Sequence, residues 1–151
     1  PRKDLVDTAS QSGTVTGICV RPHKREPAVA VQEWPLGAKD LDHARRSKRA
    51  VTLIAVEDLA AASATFGSEI RHADTRRNVL VEGVNLLTLL DREFQVGEVV
   101  LRGTQTCDPC QLMERTVGEG AFAALVGRGG LCASIVKDGT IRVGDTIQLC
   151  D

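Results

Sequence analysis

A chain of 151 residues with 42% hydrophobic and 26% charged side chains can build one domain with a proper core and is too short for two. No apolar run approaches a bilayer span, and the opening PRKDLVDTASQSG has no apolar stretch of signal-peptide type, so a cytoplasmic protein with no membrane partner is expected. Net charge is -1, from 19 basic and 20 acidic residues, with no Tyr, one Trp and three Phe; this balance lacks both the cationic surplus for a phosphate backbone and the rings for stacking single strands, which excludes nucleic acid as a favoured partner.

In chain order, residues 1–12 are polar and read as a flexible segment, with a single domain over 13–151. The stretch GTVTGICVRP alternates as a strand does, and PAVAVQEW follows after a turn at residues 23–26 to give a hairpin-like pair. Residues 35–49 carry Gly, Pro and many charges and read as a long loop. AVTLIAV is a short buried strand, and EDLAAASATFG a helix closed by Gly67. NVLVEGVNLLTLL holds a strand and a turn at Glu82 and Gly83, and EVVLRGT is a further strand. CASIVKDGTIRVGDTIQLC reads as two closing strands around a turn at Lys137, Asp138 and Gly139. Many short strands, Gly turns and two or three short helices predict a mainly β fold, a closed or nearly closed barrel.

Arginine supplies 14 of the 19 basic residues, a bias suited to forked recognition of phosphate or carboxylate and hence to a small anionic ligand. The five cysteines, at 19, 107, 110, 132 and 150, make an odd number that fits free thiols in a reducing compartment better than a disulfide framework. Cys19, Cys132 and Cys150 lie in strand-like apolar runs and read as buried and inert.

Cys107 and Cys110 form a Cys-x-x-Cys pair in GTQTCDPCQLME. A structural zinc needs four ligands, and neither a second pair nor a His-x-x-x-His is present. A redox dithiol usually sits in a βαβ pattern, which the β-rich surroundings do not offer. Asp108, Pro109 and Gln111 look like a helix start, with Asp as N-cap and Pro at the first position. Cys110 would then occupy a first turn whose free amides favour a thiolate, opposed by the Asp108 carboxylate. Partial activation of Cys110 is the expectation.

KRAVTLIAVEDL, RRNVLVEGVNLLTL, FQVGEVVLRGTQTCDPCQLME and GRGGLCASIVKDGTIRVGD occur in the order found in MOSC domains, named for the C-terminal domain of molybdenum-cofactor sulfurases. The chain resembles the small stand-alone bacterial members from about residue 13 onward. The resemblance implies a barrel like that of the pyruvate kinase barrel domain, and a role in sulfur carriage or molybdenum-cofactor (molybdopterin) binding. It implies Cys110 as the cysteine that holds persulfide sulfur or ligates molybdenum, with Cys107 an assistant or a bystander. The family's Arg-x-Asn element is matched by Arg76, Arg77 and Asn78, where forked arginines suit the pterin phosphate. Arg128 in GRGG offers a further cation beside a loop of exposed amides. The chain departs from the family's Gly-Asp step: Leu41 stands in place of the Gly before Asp42 and His43, or the alignment falls on Lys39 and Asp40; Asp42 and His43 are candidate pocket residues. Implied partners are a cysteine desulfurase or other sulfur donor and a molybdenum-cofactor or metal–sulfur acceptor, with no pyridoxal phosphate in this chain. A molybdenum-dependent reductase of N-hydroxylated compounds and a degenerate barrel acting as an interaction module are the alternatives.

Overall fold

β1 (Ser12–Val20) buries Val15 and Ile18 on one side, and the strands that flank it carry the same inward aliphatic rows until the sheet meets itself. The computed structural model describes residues 12–21, 27–36, 47–109 and 111–150. Beside β1 these give β4 (Val51–Ala55), β5 (Val79–Glu82), β6 (Glu93–Val96), β7 (Val99–Thr106), β8 (Leu131–Lys137) and β10 (Thr146–Leu149). The seven run in the order β10-β6-β7-β8-β4-β5-β1, and β1 pairs back onto β10 through Ser12↔Gln148 and Thr14↔Thr146. The barrel is therefore closed, which removes the unpaired sheet edges that invite aggregation. Its interior is filled by Leu53, Val79, Phe94, Leu101, Leu131 and Ile147 among others.

Every neighbouring pair is antiparallel except β4 and β5. A parallel pair needs a crossover, and α1 (Val56–Phe66) begins it. That explains why VTLIA is an unbroken apolar run: Val51, Leu53 and Ala55 face the barrel, while Ile54 faces a second core under the helices. This outer core joins Leu59 and Ala62 of α1 to Ile70, to Met113 of α3 (Gln111–Val117), and to Ala124 and Leu125 of α4 (Ala121–Leu125). α1 ends as expected at Gly67, in the left-handed region at φ 89° with its N–H on the Ser63 carbonyl. With α2 (His72–Thr75) the described residues hold four short helices. No helix among them is long and apolar enough to cross a membrane.

The barrel, the β1 hairpin partner and the Glu82–Gly83 turn agree with the sequence reading, and three details differ. β2 (Val29–Val31) does pair with β1, but β3 (Glu33–Leu36) turns away to pair with β9 (Gly139–Arg142). Residues 35 and 36 of the predicted loop thus belong to β3, and 37–46 lie outside the described residues. The C-terminal stretch forms three strands, since β8 pairs with β7 and β4 whereas β9 pairs with β3; the turn at Lys137–Gly139 joins two sheets and is no hairpin. β6 and α2 were not resolvable from periodicity, being four residues each. The segment 1–11, the turn at 23–26, and Lys39, Asp40, Leu41, Asp42 and His43 lie outside the described residues.

Asn78 ties three barrel strands together. Its Oδ1 accepts from the Thr52 N–H and hydroxyl at 3.1 Å each, and its Nδ2 donates to the Cys19 carbonyl at 3.3 Å. Asn78→Ala would strand those groups, and a loss of about 2 kcal/mol is expected in urea unfolding. An unchanged midpoint would show that the side chain is dispensable.

Candidate functional site

Arg76 and Arg77 are neighbours that go to different places. α2 stops because Arg76 enters the left-handed region at φ 63°, a conformation uncommon outside glycine. The reversal buries Arg77, which is 5% exposed, and leaves Arg76 half-buried. The Arg77 Nε donates to the Gly129 carbonyl at 2.7 Å, one terminal nitrogen to the Asp108 carbonyl at 2.9 Å and the other to the Thr75 carbonyl at 3.4 Å. One guanidinium thereby holds the end of α2, the glycine-rich loop and the cysteine segment in register.

The glycine-rich loop is built for that contact. A Cβ at Gly129 would collide with the Cys107 carbonyl, and one at Gly130 with the Leu53 carbonyl, so both backbones approach as only glycine allows. The Cys107 N–H in turn donates to the Gly130 carbonyl at 2.8 Å. GRGG is therefore a packing element. Arg128 turns the other way: its guanidinium donates to the Thr65 hydroxyl at 2.9 Å and the Ala124 carbonyl at 3.2 Å, at the C-terminal end of α1 and on α4. There it serves as a helix-end cation, apart from the other predicted arginines.

Those others meet at a cavity of about 480 Å³, within the size range of small-molecule sites. Arg21, Arg49, Arg76 and Arg77 line it with Asn78, Thr52, Cys19, Trp34 and Met113, and no carboxylate is among the described lining residues. The guanidinium groups of Arg49 and Arg76 meet no acceptor among the described residues and are available to a ligand. Arg77 is largely committed to carbonyls and acts here by positioning. Asn78 is likewise committed, to Thr52 and Cys19. Sequence reasoning singled out Arg76, Arg77 and Asn78, and missed Arg21, Arg49, Thr52 and Trp34. The arginine excess was the one signal for them, and it carries no address.

Cys110 lies outside the described residues; after it Met113 of α3 lines this cavity, and before it Asp108 is bonded to the cavity-lining Arg77. The helix begins at Gln111, with Asp108 and Pro109, the expected cap and first helical position, outside it. The α3–α4 connection is fixed by Glu114, whose carboxylate accepts from the Gly120 and Phe122 amides at 3.0 and 2.9 Å. Those two donors pull its pKa below the ordinary carboxylate value.

Cys107 does not act as the free partner of Cys110. It is 3% exposed and bridged to Cys132, with the two Cα atoms 5.7 Å apart. The reading of five free thiols is thus corrected for these two. The cause is strand register, since Cys132 stands opposite Gln105 near the end of β7. A bulge there lets the Thr104 hydroxyl reach the Cys132 carbonyl at 3.1 Å. Cys132 is buried as expected, and no cluster of three or more metal-ligating side chains occurs among the described residues.

A small closed barrel with an arginine-lined cavity beside a cysteine-bearing loop is the class these features define. The MOSC domain family matches residues 40–148, and the chain belongs to that family. Among solved structures it is similar to the YuaD protein of Bacillus subtilis, at 14% identity and a TM-score of 0.73 over 91% of this chain and 95% of that one. It is also similar to YiiM of Geobacillus stearothermophilus, at 13% identity and 0.70 over 95% and 75%. YiiM of Escherichia coli gives 16% identity and 0.67 over 91% and 70%. At these identities the likeness is one of fold. No curated protein matches the sequence.

The bridge spans a sequence separation of 25 residues, and opening it is expected to cost about 3 kcal/mol through loop entropy. Reduction should also raise the number of alkylatable thiols in the unfolded chain by two. An identical thiol count before and after reductant would contradict the pairing.

Proposed function

We propose that this MOSC domain is a sulfur-carrier or molybdenum-cofactor-binding domain in which Cys110 holds persulfide sulfur or ligates molybdenum. The observation that carries the reading is the cation-lined cavity beside the segment that bears Cys110. A pterin ending in a phosphate is a planar ring with a dianionic tail. Arg49 and Arg76 suit the tail, because guanidinium and phosphate form paired, charge-assisted hydrogen bonds. Trp34 at the wall offers a face for the ring. The donor set and the cavity size therefore fit such a group. When bound, it would supply a metal already ligated by soft sulfur, for which a thiolate is a matched ligand.

The protein's part is to bind and to orient. Arg49 and Arg76 hold the anionic end, and Arg77, through Asp108, fixes the approach of the cysteine segment. A thiolate at Cys110, next in sequence before the start of α3, is favoured by that helix start and disfavoured by Asp108 two residues earlier. Cys107, bridged to Cys132, can take part in sulfur exchange only after that bridge is reduced. A sulfur donor such as a cysteine desulfurase and an acceptor of metal–sulfur type remain the partners this chemistry calls for.

The full chain, purified without air and treated with a cysteine desulfurase and cysteine, should gain one sulfur atom on Cys110, and Cys110→Ala should not. Arg76→Ala should weaken pterin-phosphate binding about tenfold, the value of one charge-assisted hydrogen bond, with Cys110 alkylation unchanged. Sulfur loading that survives Cys110→Ala, or equal pterin affinity in both proteins, would refute the respective role.

A further inference from the structure

Cys19 stands in the wall of the same cavity and is paired with a histidine. It alternates with Ile18, which points into the barrel, and so faces outward beneath α2. The Cys19 Sγ lies 3.5 Å from His72 Nδ1. The other ring nitrogen, Nε2, lies 2.8 Å from the Arg77 carbonyl. A carbonyl only accepts, so Nε2 carries the ring proton and Nδ1 is left as the acceptor for the thiol. A nucleophile, a base held in one tautomer, and Arg49 and Arg76 free on the same cavity are the parts of a thiol-transfer site for an anion.

We propose that Cys19 is a second sulfur-accepting site, which takes a sulfane sulfur from a small oxyanion of the thiosulfate class bound by Arg49 and Arg76. The inference rests on reading this cavity as an anion site, and it is independent of Cys110. Sγ attacks the outer sulfur of the donor and forms a new S–S bond. The bond from that sulfur to the sulfonate sulfur breaks, and its electron pair leaves with sulfite. The thiol proton passes to His72 Nδ1 and then to the new terminal sulfur. Thiol and thiosulfate become hydropersulfide and sulfite, with atoms and charge conserved. The cysteine sulfur is oxidised by as much as the transferred sulfur is reduced, so no outside oxidant is needed. Burial raises the Cys19 pKa and lowers that of His72, which keeps the resting pair neutral, so the thiol proton leaves only as Sγ attacks. The arginines also stabilise the departing dianion.

The test is to incubate the reduced full chain with thiosulfate, remove the excess, and map added sulfur by tandem mass spectrometry while measuring sulfite. One sulfur on Cys19 with matching sulfite supports the site, as does its loss in Cys19→Ser. His72→Gln keeps a donor for the Arg77 carbonyl but has no base, and should slow loading about 100-fold. Arg76→Gln should raise the thiosulfate concentration for half-maximal loading about tenfold. If thiosulfate leaves Cys19 unmodified while a cysteine desulfurase still loads Cys110, the proposal is overturned and the carrier reading stands. Sulfur on Cys19 in a protein that binds no pterin would support the proposal and remove the pterin reading instead. Loading at an unchanged rate in His72→Gln would overturn the base.

Discussion

The buried guanidinium of Arg77 is the constraint on which the site depends. Its planar fork donates to carbonyls of three segments that are distant in sequence: the end of α2, the glycine-rich loop and the cysteine segment. A lysine has one donor centre and could not span them. Each carbonyl would otherwise be a poorly satisfied acceptor near the barrel wall. The same residue accepts from His72 through its own main-chain carbonyl, so the Cys19 pair and Asp108 both depend on one residue, the first through its backbone and the second through its guanidinium. The left-handed turn at Arg76 makes this division possible, sending one arginine inward to hold structure and one toward the cavity.

The barrel beneath is a platform for that arrangement. Closure through β1 and β10 gives each wall strand two neighbours, and α1, α3 and α4 lie over the outer side of β4. The cavity opens where β1, β4 and β5 meet, at the Asn78 knot. Rigid strands on one side and a tethered loop on the other suit a site that must hold a ligand at a fixed distance from a thiol.

Much of the barrel was legible in the sequence because the signals are local. VTLIA, NVLVEG and the Gly67 cap each carry their own periodicity or punctuation. The exchange of β3 and β9 into a separate pair was not legible, because it depends on which strand lies beside which. α2 and β6 are too short to show a period. At the site, the family resemblance pointed to Arg76 and Arg77, and residue type and spacing to Arg128 and the cysteine pair, but type alone does not separate a ligand cation from a packing cation. Arg77 and Arg128 prove to be packed onto carbonyls. Cys107 has its partner 25 residues away rather than three, and Cys19 acquires a histidine 53 residues away. Each of those contacts is made by the closed sheet and has no counterpart in local spacing.

The most direct measurement of the central claim is amide hydrogen exchange in Arg77→Lys against the parent chain, followed at Cys107, whose N–H is bonded to the Gly130 carbonyl. If Arg77 holds the loop and the cysteine segment together, exchange at Cys107 and across residues 127–130 should rise about tenfold or more, while the inner amides of β1, β5 and β10 keep their protection. Equal protection at Cys107 in the two proteins would contradict the account, because the segment would then be held without the arginine.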